Sequence, residues 1–308
     1  FRWSPNSMGW CCICPSFSTE QDAMHMTIDG SGGISIAASL VGDGHGRPSV
    51  LLAHGGGQTR RTWRKTMQQL AEHGYRSVAI DMRGHGESGW ATPGRYRFAD
   101  FGKDILAVCD KLNQRPHVIG ASLGGLAALV AEGAVRPGSF ASLTLVDVTP
   151  DMDPEGVSRI VGFMNAHVER GFASYDEAAE AIADYMPNRE KRGASEGLKS
   201  YLRLDPDQRY RWHWDPGFLS GMTGRREQDY AQAQAAASVL SLPVHLVRGG
   251  SSDLISMEAA KRFCAMVPGA RFTDVSGAGH MVVGDDNDVF SRAIIEFLES
   301  QSEPETIA

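Results

Sequence analysis

The 308 residues are 42% hydrophobic and carry a net charge of −7, enough apolar material for a large core in one domain plus a substantial insertion. The acidic balance excludes a polyanionic partner, because phosphate binding needs concentrated Lys and Arg. Five cysteines, an odd number in a chain of this size, do not make a disulfide framework and fit a reducing compartment.

Residues 1–23 show no sustained periodicity and are expected to be a disordered or artificial tail. Cys11 and Cys14 match C-x-x-C, but no second Cys or His pair stands at ligand spacing, so no metal is expected. From Met24 the pattern alternates short β-type runs with amphipathic stretches. Met26 to Ile28 and Ile34 to Leu40 predict a leading hairpin. Parallel strands are predicted at Ser49–Ala53, Ser77–Ile80, His117–Ile119, Leu143–Val146, Val244–Val247 and Arg271–Val275. Helical spacing recurs at Thr62–His73, Phe98–Leu112, Gly124–Val135, Met257–Met266 and Val289–Leu298. The basic run Arg60, Arg61, Arg64 and Lys65 reads as a solvated helix face.

This is an α/β fold whose rhythm breaks once, between Thr149 and Ser238, where Ala-rich and aromatic helical segments predict an inserted helical cap. The expected organisation is a core of 24–148 and 239–300, a cap of 149–238 and a C-terminal tail of 301–308. No segment approaches the ~20 apolar residues of a membrane span, so a cytoplasmic location is expected.

Gly120-Ala121-Ser122-Leu123-Gly124 matches G-x-S-x-G, a weak signal alone in a chain with 35 glycines. Its context strengthens it, since an apolar strand precedes Ser122 and a strong helical run follows, the setting of a nucleophile elbow. His54-Gly55-Gly56-Gly57 follows a strand and reads as an oxyanion loop, with the N–H groups of Gly56 and Leu123 as its donors. A serine needs a base, and the base a carboxylate to orient it. Among ten histidines, His280 in Gly277-Ala278-Gly279-His280 follows the last predicted strand, at the sheet edge that carries the elbow. Two carboxylates compete. Asp253 follows the strand Val244–Val247, where it reads either as a local turn or cap residue or as the catalytic acid, and the chain order Ser, Asp, His favours the catalytic reading. Asp147 ends the strand Leu143–Val146 and would also emerge near Ser122, and of the two Asp253 is preferred. Gly84-His85-Gly86-Glu87-Ser88-Gly89 imitates a dinucleotide fingerprint, but Pro93 and Gly94 break the helix that would hold a pyrophosphate.

With these residues assembled, the chain resembles the α/β-hydrolase family over Met24 to Leu298. The motifs that carry the resemblance are His54-Gly55-Gly56, Asp81-Met82-Arg83-Gly84-His85-Gly86-Glu87-Ser88, the elbow, Asp253 and Gly279-His280-Met281. The resemblance implies an eight-stranded, mostly parallel sheet with a helical cap after the sixth strand, a Ser122, Asp253, His280 triad, and neither metal nor organic cofactor. Capped relatives such as epoxide hydrolases and haloalkane dehalogenases carry Asp where this chain has Ser122, which turns the expectation to acyl transfer on a small ester or lactone with an apolar acyl part. Hydrolysis of N-acyl homoserine lactones, carbon–carbon bond hydrolysis, perhydrolysis and non-catalytic ligand reception are the alternatives such a resemblance leaves open. Trp63, Phe163, Met164, Tyr185, Tyr201, Trp212, Trp214 and Met222 are the expected pocket residues, although such side chains more often simply pack a cap.

Overall fold

The computed structural model describes residues 23–44, 46–185, 198, 201–224, 226–275 and 288–301. Both predicted tails fall almost wholly outside that range. Eight strands form one sheet: β1 (Met24–Asp29), β2 (Ser35–Val41), β3 (Val50–Ala53), β4 (Ser77–Ile80), β5 (His117–Ala121), β6 (Ser142–Val146), β9 (Val244–Gly249) and β10 (Arg271–Val275). Their order is β1-β2-β4-β3-β5-β6-β9-β10. β1 and β2 are antiparallel to their neighbours, and the six strands from β4 to β10 run parallel.

β3 to β6 are buried on both faces, which is why Val50–Ala53 reads as an unbroken apolar run and why even Ser142 and Thr144 of β6 are inaccessible. Helices α2 (Phe98–Leu112), α3 (Leu123–Val130), α7 (Arg226–Ala237) and α8 (Met257–Met266) build a core on one face. The other face is covered by α1 (Arg64–Glu72) and α9 (Asp288–Ser300), through Met67, Leu70, Phe290, Ile294 and Leu298. The register fixes the site. Ala53 pairs with Gly120, Ala121 with Val146, and Val146 with Val247, so the carboxyl ends of β3, β5, β6 and β9 finish level.

Between β6 and β9 the chain forms α4 (Pro154–Ala166), α5 (Tyr175–Tyr185), α6 (Pro216–Gly224) and α7. The inserted segment is not wholly helical, because β7 (Leu202–Leu204) and β8 (Tyr210–Trp212) pair as an antiparallel ribbon. Both strands alternate apolar with Arg, and Asp205-Pro206-Asp207-Gln208 turns between them with Gln208 at φ 61°.

The basic run is only partly a solvated face. Arg60 is buried: its guanidinium pairs with Asp81, whose side chain is fully inaccessible, and reaches Glu87 at 2.7 Å. Asp81 also accepts the Glu87 N–H at 2.9 Å, which folds Gly84–Gly89 into a compact turn instead of a phosphate loop. Arg60→Met is therefore expected to cost about 3–5 kcal/mol in chemical denaturation, because it strands a buried carboxylate. A loss under ~1 kcal/mol would mean that Asp81 finds another partner.

Among the described residues, no helix is long and apolar enough to cross a membrane.

Candidate active site

β5 delivers the chain into α3 through a turn at Ser122, whose φ of 45° and ψ of −113° lie where a side chain is strained. The turn closes only because its flanks are glycine. A Cβ on Gly120 would stand 2.5 Å from the Gly125 nitrogen, and one on Gly124 would strike the backbone of Ala53. Strain of this kind costs about 1–3 kcal/mol and persists where surrounding structure enforces it. Ser122 is half-buried at the start of α3, where the first N–H groups have no intrahelical acceptor.

The loop after β3 lies against this turn: a Cβ on Gly55 would sit 3.3 Å from that of Ser122. Its N–H groups divide cleanly. Gly55 N–H donates to Gln58 Oε1 at 3.0 Å, and Gly57 N–H donates to His85 Nε2 at 3.1 Å. Gly56 N–H and, across the turn, Leu123 N–H have no protein acceptor among the described residues. These are the two donors the sequence nominated: Leu123 directly follows Ser122, and Gly56 follows the glycine that lies against it.

Three buried imidazoles clamp this loop. His54 donates from Nδ1 to Gly55 O at 2.7 Å and accepts the Met82 N–H at Nε2 at 2.9 Å. His85 donates to Arg83 O at 3.0 Å while accepting from Gly57. His213, from the inserted segment, accepts the Gly86 N–H at 2.7 Å and donates to Gly57 O at 3.3 Å. Each ring must be neutral, since each uses one nitrogen as acceptor of a backbone N–H. Burial pushes His54 well below its ordinary value, His85 to about 4 and His213 to about 3. Mutual repulsion with His85 adds to this at His54 and His213. Among the described residues no His, Cys, Asp and Glu converge as a metal site.

The two carboxylate candidates lie in different surroundings. Asp147, the residue after β6, is fully buried at φ 48° and accepts Gly249 N–H at 2.9 Å and Ser252 Oγ–H at 2.6 Å. Asp253 is 51% exposed and pairs at 3.0 Å with Arg159 of α4, itself half exposed. The structure thus places Asp147 beside Ser122 and turns the Asp253 carboxylate outward. His280 lies outside the described residues.

Of the expected pocket residues, Met164 and Trp214 close on the loop, 3.1 and 3.2 Å from where a Gly57 Cβ would be. Trp214 stacks on Trp212 with centroids 4.9 Å apart, and Phe163 packs on Trp212 at 5.9 Å. The Tyr201 hydroxyl lies 3.4 Å from Thr62 Oγ1. Trp63 does not belong to this group: it is buried on the opposite sheet face, 6.5 Å from the Phe290 ring. Trp63 precedes α1, whose Met67 and Leu70 face the same side of the sheet. The side chains of Tyr185 and Met222 lie outside the described residues. Sequence reasoning missed Phe218, which is fully buried, 3.2 Å from a Gly56 Cβ position and 4.7 Å from the His85 ring. It also missed the clamping roles of His85 and His213. The Gly-His-Gly triplet at 84–86 was the available signal for the first.

A family model described as alpha/beta hydrolase fold matches residues 48–286. An esterase of Mycobacterium tuberculosis is 28% identical over 85% of this chain and 85% of its own length. A crystal structure of that esterase superposes with a TM-score of 0.71 over 90% of this chain and 92% of its own, at 26% identity. A non-heme chloroperoxidase of Streptomyces lividans is 25% identical over 89% of this chain and 99% of its own. The crystal structure of E-2-(acetamidomethylene)succinate hydrolase gives a TM-score of 0.78 at 23% identity, covering 90% of this chain and 99% of its own, a likeness of fold.

Proposed function

Since the chain belongs to the α/β-hydrolase family, we propose that it is a serine hydrolase that cleaves carboxylic esters or lactones through an acyl-enzyme on Ser122. One observation carries this reading: a strained serine at the carboxyl end of a central strand, with the glycine loop after β3 lying against it. The similarity to an esterase of M. tuberculosis supports it.

In the proposed reaction the base, assigned to His280 from its place in the sequence after the last strand, takes the Ser122 proton as Oγ bonds to the carbonyl carbon. The carbonyl electron pair moves onto the oxygen, which the two N–H groups receive. Collapse breaks the bond to the leaving alcohol, which departs with the proton held by the base. Water then repeats the sequence, releasing the acid and restoring Ser122. Each N–H donor typically contributes ~3–4 kcal/mol to such a transition state. Met164, Trp214 and Phe218 give the loop an apolar cover, which supports an apolar acyl part in the substrate. A cytoplasmic location belongs to the same proposal, supported by Cys109 and Cys264, both free thiols.

The test is release of p-nitrophenol from esters of increasing acyl length, alongside ring opening of an N-acyl homoserine lactone. Saturable turnover of either class is expected, with a burst where deacylation limits. Folded protein that turns over neither class would overturn the reading, and perhydrolysis in acetate with peroxide or carbon–carbon cleavage of a β-diketone would then be the reaction sought.

A further inference from the structure

We propose that Asp147, and not Asp253, is the carboxylate that positions the catalytic base. This rests on the acyl-transfer reading of Ser122 and deepens it.

β5 and β6 pair in register up to Ala121 and Val146, so Ser122 and Asp147 are the next residue on each of two adjacent strands. The two are held together, with Ser122 N–H donating to Val146 O at 3.1 Å and Asp147 N–H to Val247 O at 2.7 Å. Both leave the sheet with positive φ, 45° and 48°. Among the described residues four non-glycine positions have positive φ, and the other two, Asn113 and Gln208, are a helix C-cap and a turn. Asn and Asp adopt this region more readily than other non-glycine residues; what sets Asp147 apart is that it does so fully buried, at a strand end level with Ser122.

The loop after β9 is arranged around Asp147. Its Gly249 N–H and Ser252 hydroxyl each donate to one oxygen of that carboxylate. An ionised carboxylate has about four acceptor sites, so bonds from Gly249 and Ser252 are compatible with an imidazole N–H on the same group. Ser252 is itself fixed, because its Oγ accepts the N–H groups of Leu254 at 3.1 Å and Ile255 at 3.3 Å. With Ser252 directed inward, the next residue is directed outward, and Asp253 goes to Arg159. The backbone there is pinned too: a Cβ on Gly156 would lie 2.5 Å from Asp253 O, and Asp153 N–H donates to Leu254 O at 2.9 Å. Asp253 therefore fastens α4 to the core, and swinging it inward would break the Ser252 contacts that order the loop.

The experiment measures the rate at which a fluorophosphonate labels Ser122, read by intact mass, and kcat and KM on a p-nitrophenyl ester, for wild type, Asp147→Asn, Asp253→Asn and Ser252→Ala. Asn at position 147 can still accept from Gly249 and donate to Ser252, so the fold is expected to survive. Labelling and kcat are expected to fall by about 10²- to 10⁴-fold in Asp147→Asn with KM nearly unchanged. Its acid limb in the pH–rate profile should move down by about one pH unit, because the base loses a negative neighbour that favours its protonated form. Such a shift would not follow from a purely structural role. Asp253→Asn should stay within about threefold of wild type, and Ser252→Ala should lie between the two. Two results overturn the proposal: wild-type-like labelling by Asp147→Asn, or a hundredfold loss in a folded Asp253→Asn protein, which decides the matter even if the position-147 variant misfolds. Wild-type protein that is not labelled at Ser122 at all refutes the serine-hydrolase reading itself, a distinct outcome.

Discussion

Ser122→Ala is expected to lower kcat/KM on an activated ester by about 10⁴-fold or more while leaving thermal and chemical stability within ~0.5 kcal/mol of wild type. The loss is large because in the proposed reaction Ser122 is the group that carries the acyl chain, and the burst should vanish with it. The residual rate is that of an N–H pair binding a carbonyl oxygen beside ordered water, which in other serine enzymes still exceeds the solution reaction by ~10³- to 10⁴-fold. Stability is spared for a local reason. Alanine bears the same φ of 45° as serine, and the Ser122 side chain makes no cap bond to α3. Stopped-flow release of p-nitrophenol separates the two steps. Retention of more than about one hundredth of wild-type turnover would remove Ser122 from the chemistry.

The second large effect is loss of stability in acid. An unfolded histidine takes up its proton near pH ~6.5, whereas in the fold burial holds His85 and His117 down to about 4 and His213 and His245 to about 3, with His54 also well below its ordinary value. Between those limits the unfolded chain binds more protons, so the contribution is complete above the unfolded pKa and is lost as pH falls towards the folded ones. Each such imidazole costs about 1.4 kcal/mol per pH unit in that window. Five acting together would remove roughly 5 kcal/mol or more per unit, against a total of about 5–15 kcal/mol for a typical domain. Guanidinium midpoints at about pH 7.5 and pH 5.5 check this, and equal midpoints would show that the imidazoles are not held neutral. In His213→Asn the slope should drop by about one proton.

The parallel strands were legible because their sequences are short, β-branched and bounded by Gly or by helical spacing. The elbow was legible because its glycines stand where strand becomes helix. The Leu202–Trp212 ribbon was not, although Leu-Arg-Leu and Tyr-Arg-Trp alternate around a Pro-containing turn, because three-residue strands fall below the length at which period two stands out. Arg60 was read as solvated because helical spacing cannot see that Asp81, one strand away, has its side chain buried against it. The two carboxylates illustrate the same limit. Chain order and distance past a strand end fit both Asp147 and Asp253, and what separates them is backbone φ, the inward turn of Ser252 and the pairing with Arg159. None of these is written in residue type. Trp63 was assigned by size and polarity alone, which do not say which sheet face a side chain joins.

The insertion between β6 and β9 is rooted at both ends. Its first helix is seated on the Asp253 backbone at Gly156, and its last packs on α3 and the turn that follows, where Gly133 meets the backbone of Ala236 so closely that no Cβ would fit. Between those two footholds the insertion touches the loop after β3 through His213, Met164, Trp214 and Phe218, so it is tied to the core at a third place, beside Ser122. The segment that lines the loop is therefore also a brace for it, and a change in the lining is transmitted to the backbone that faces Ser122.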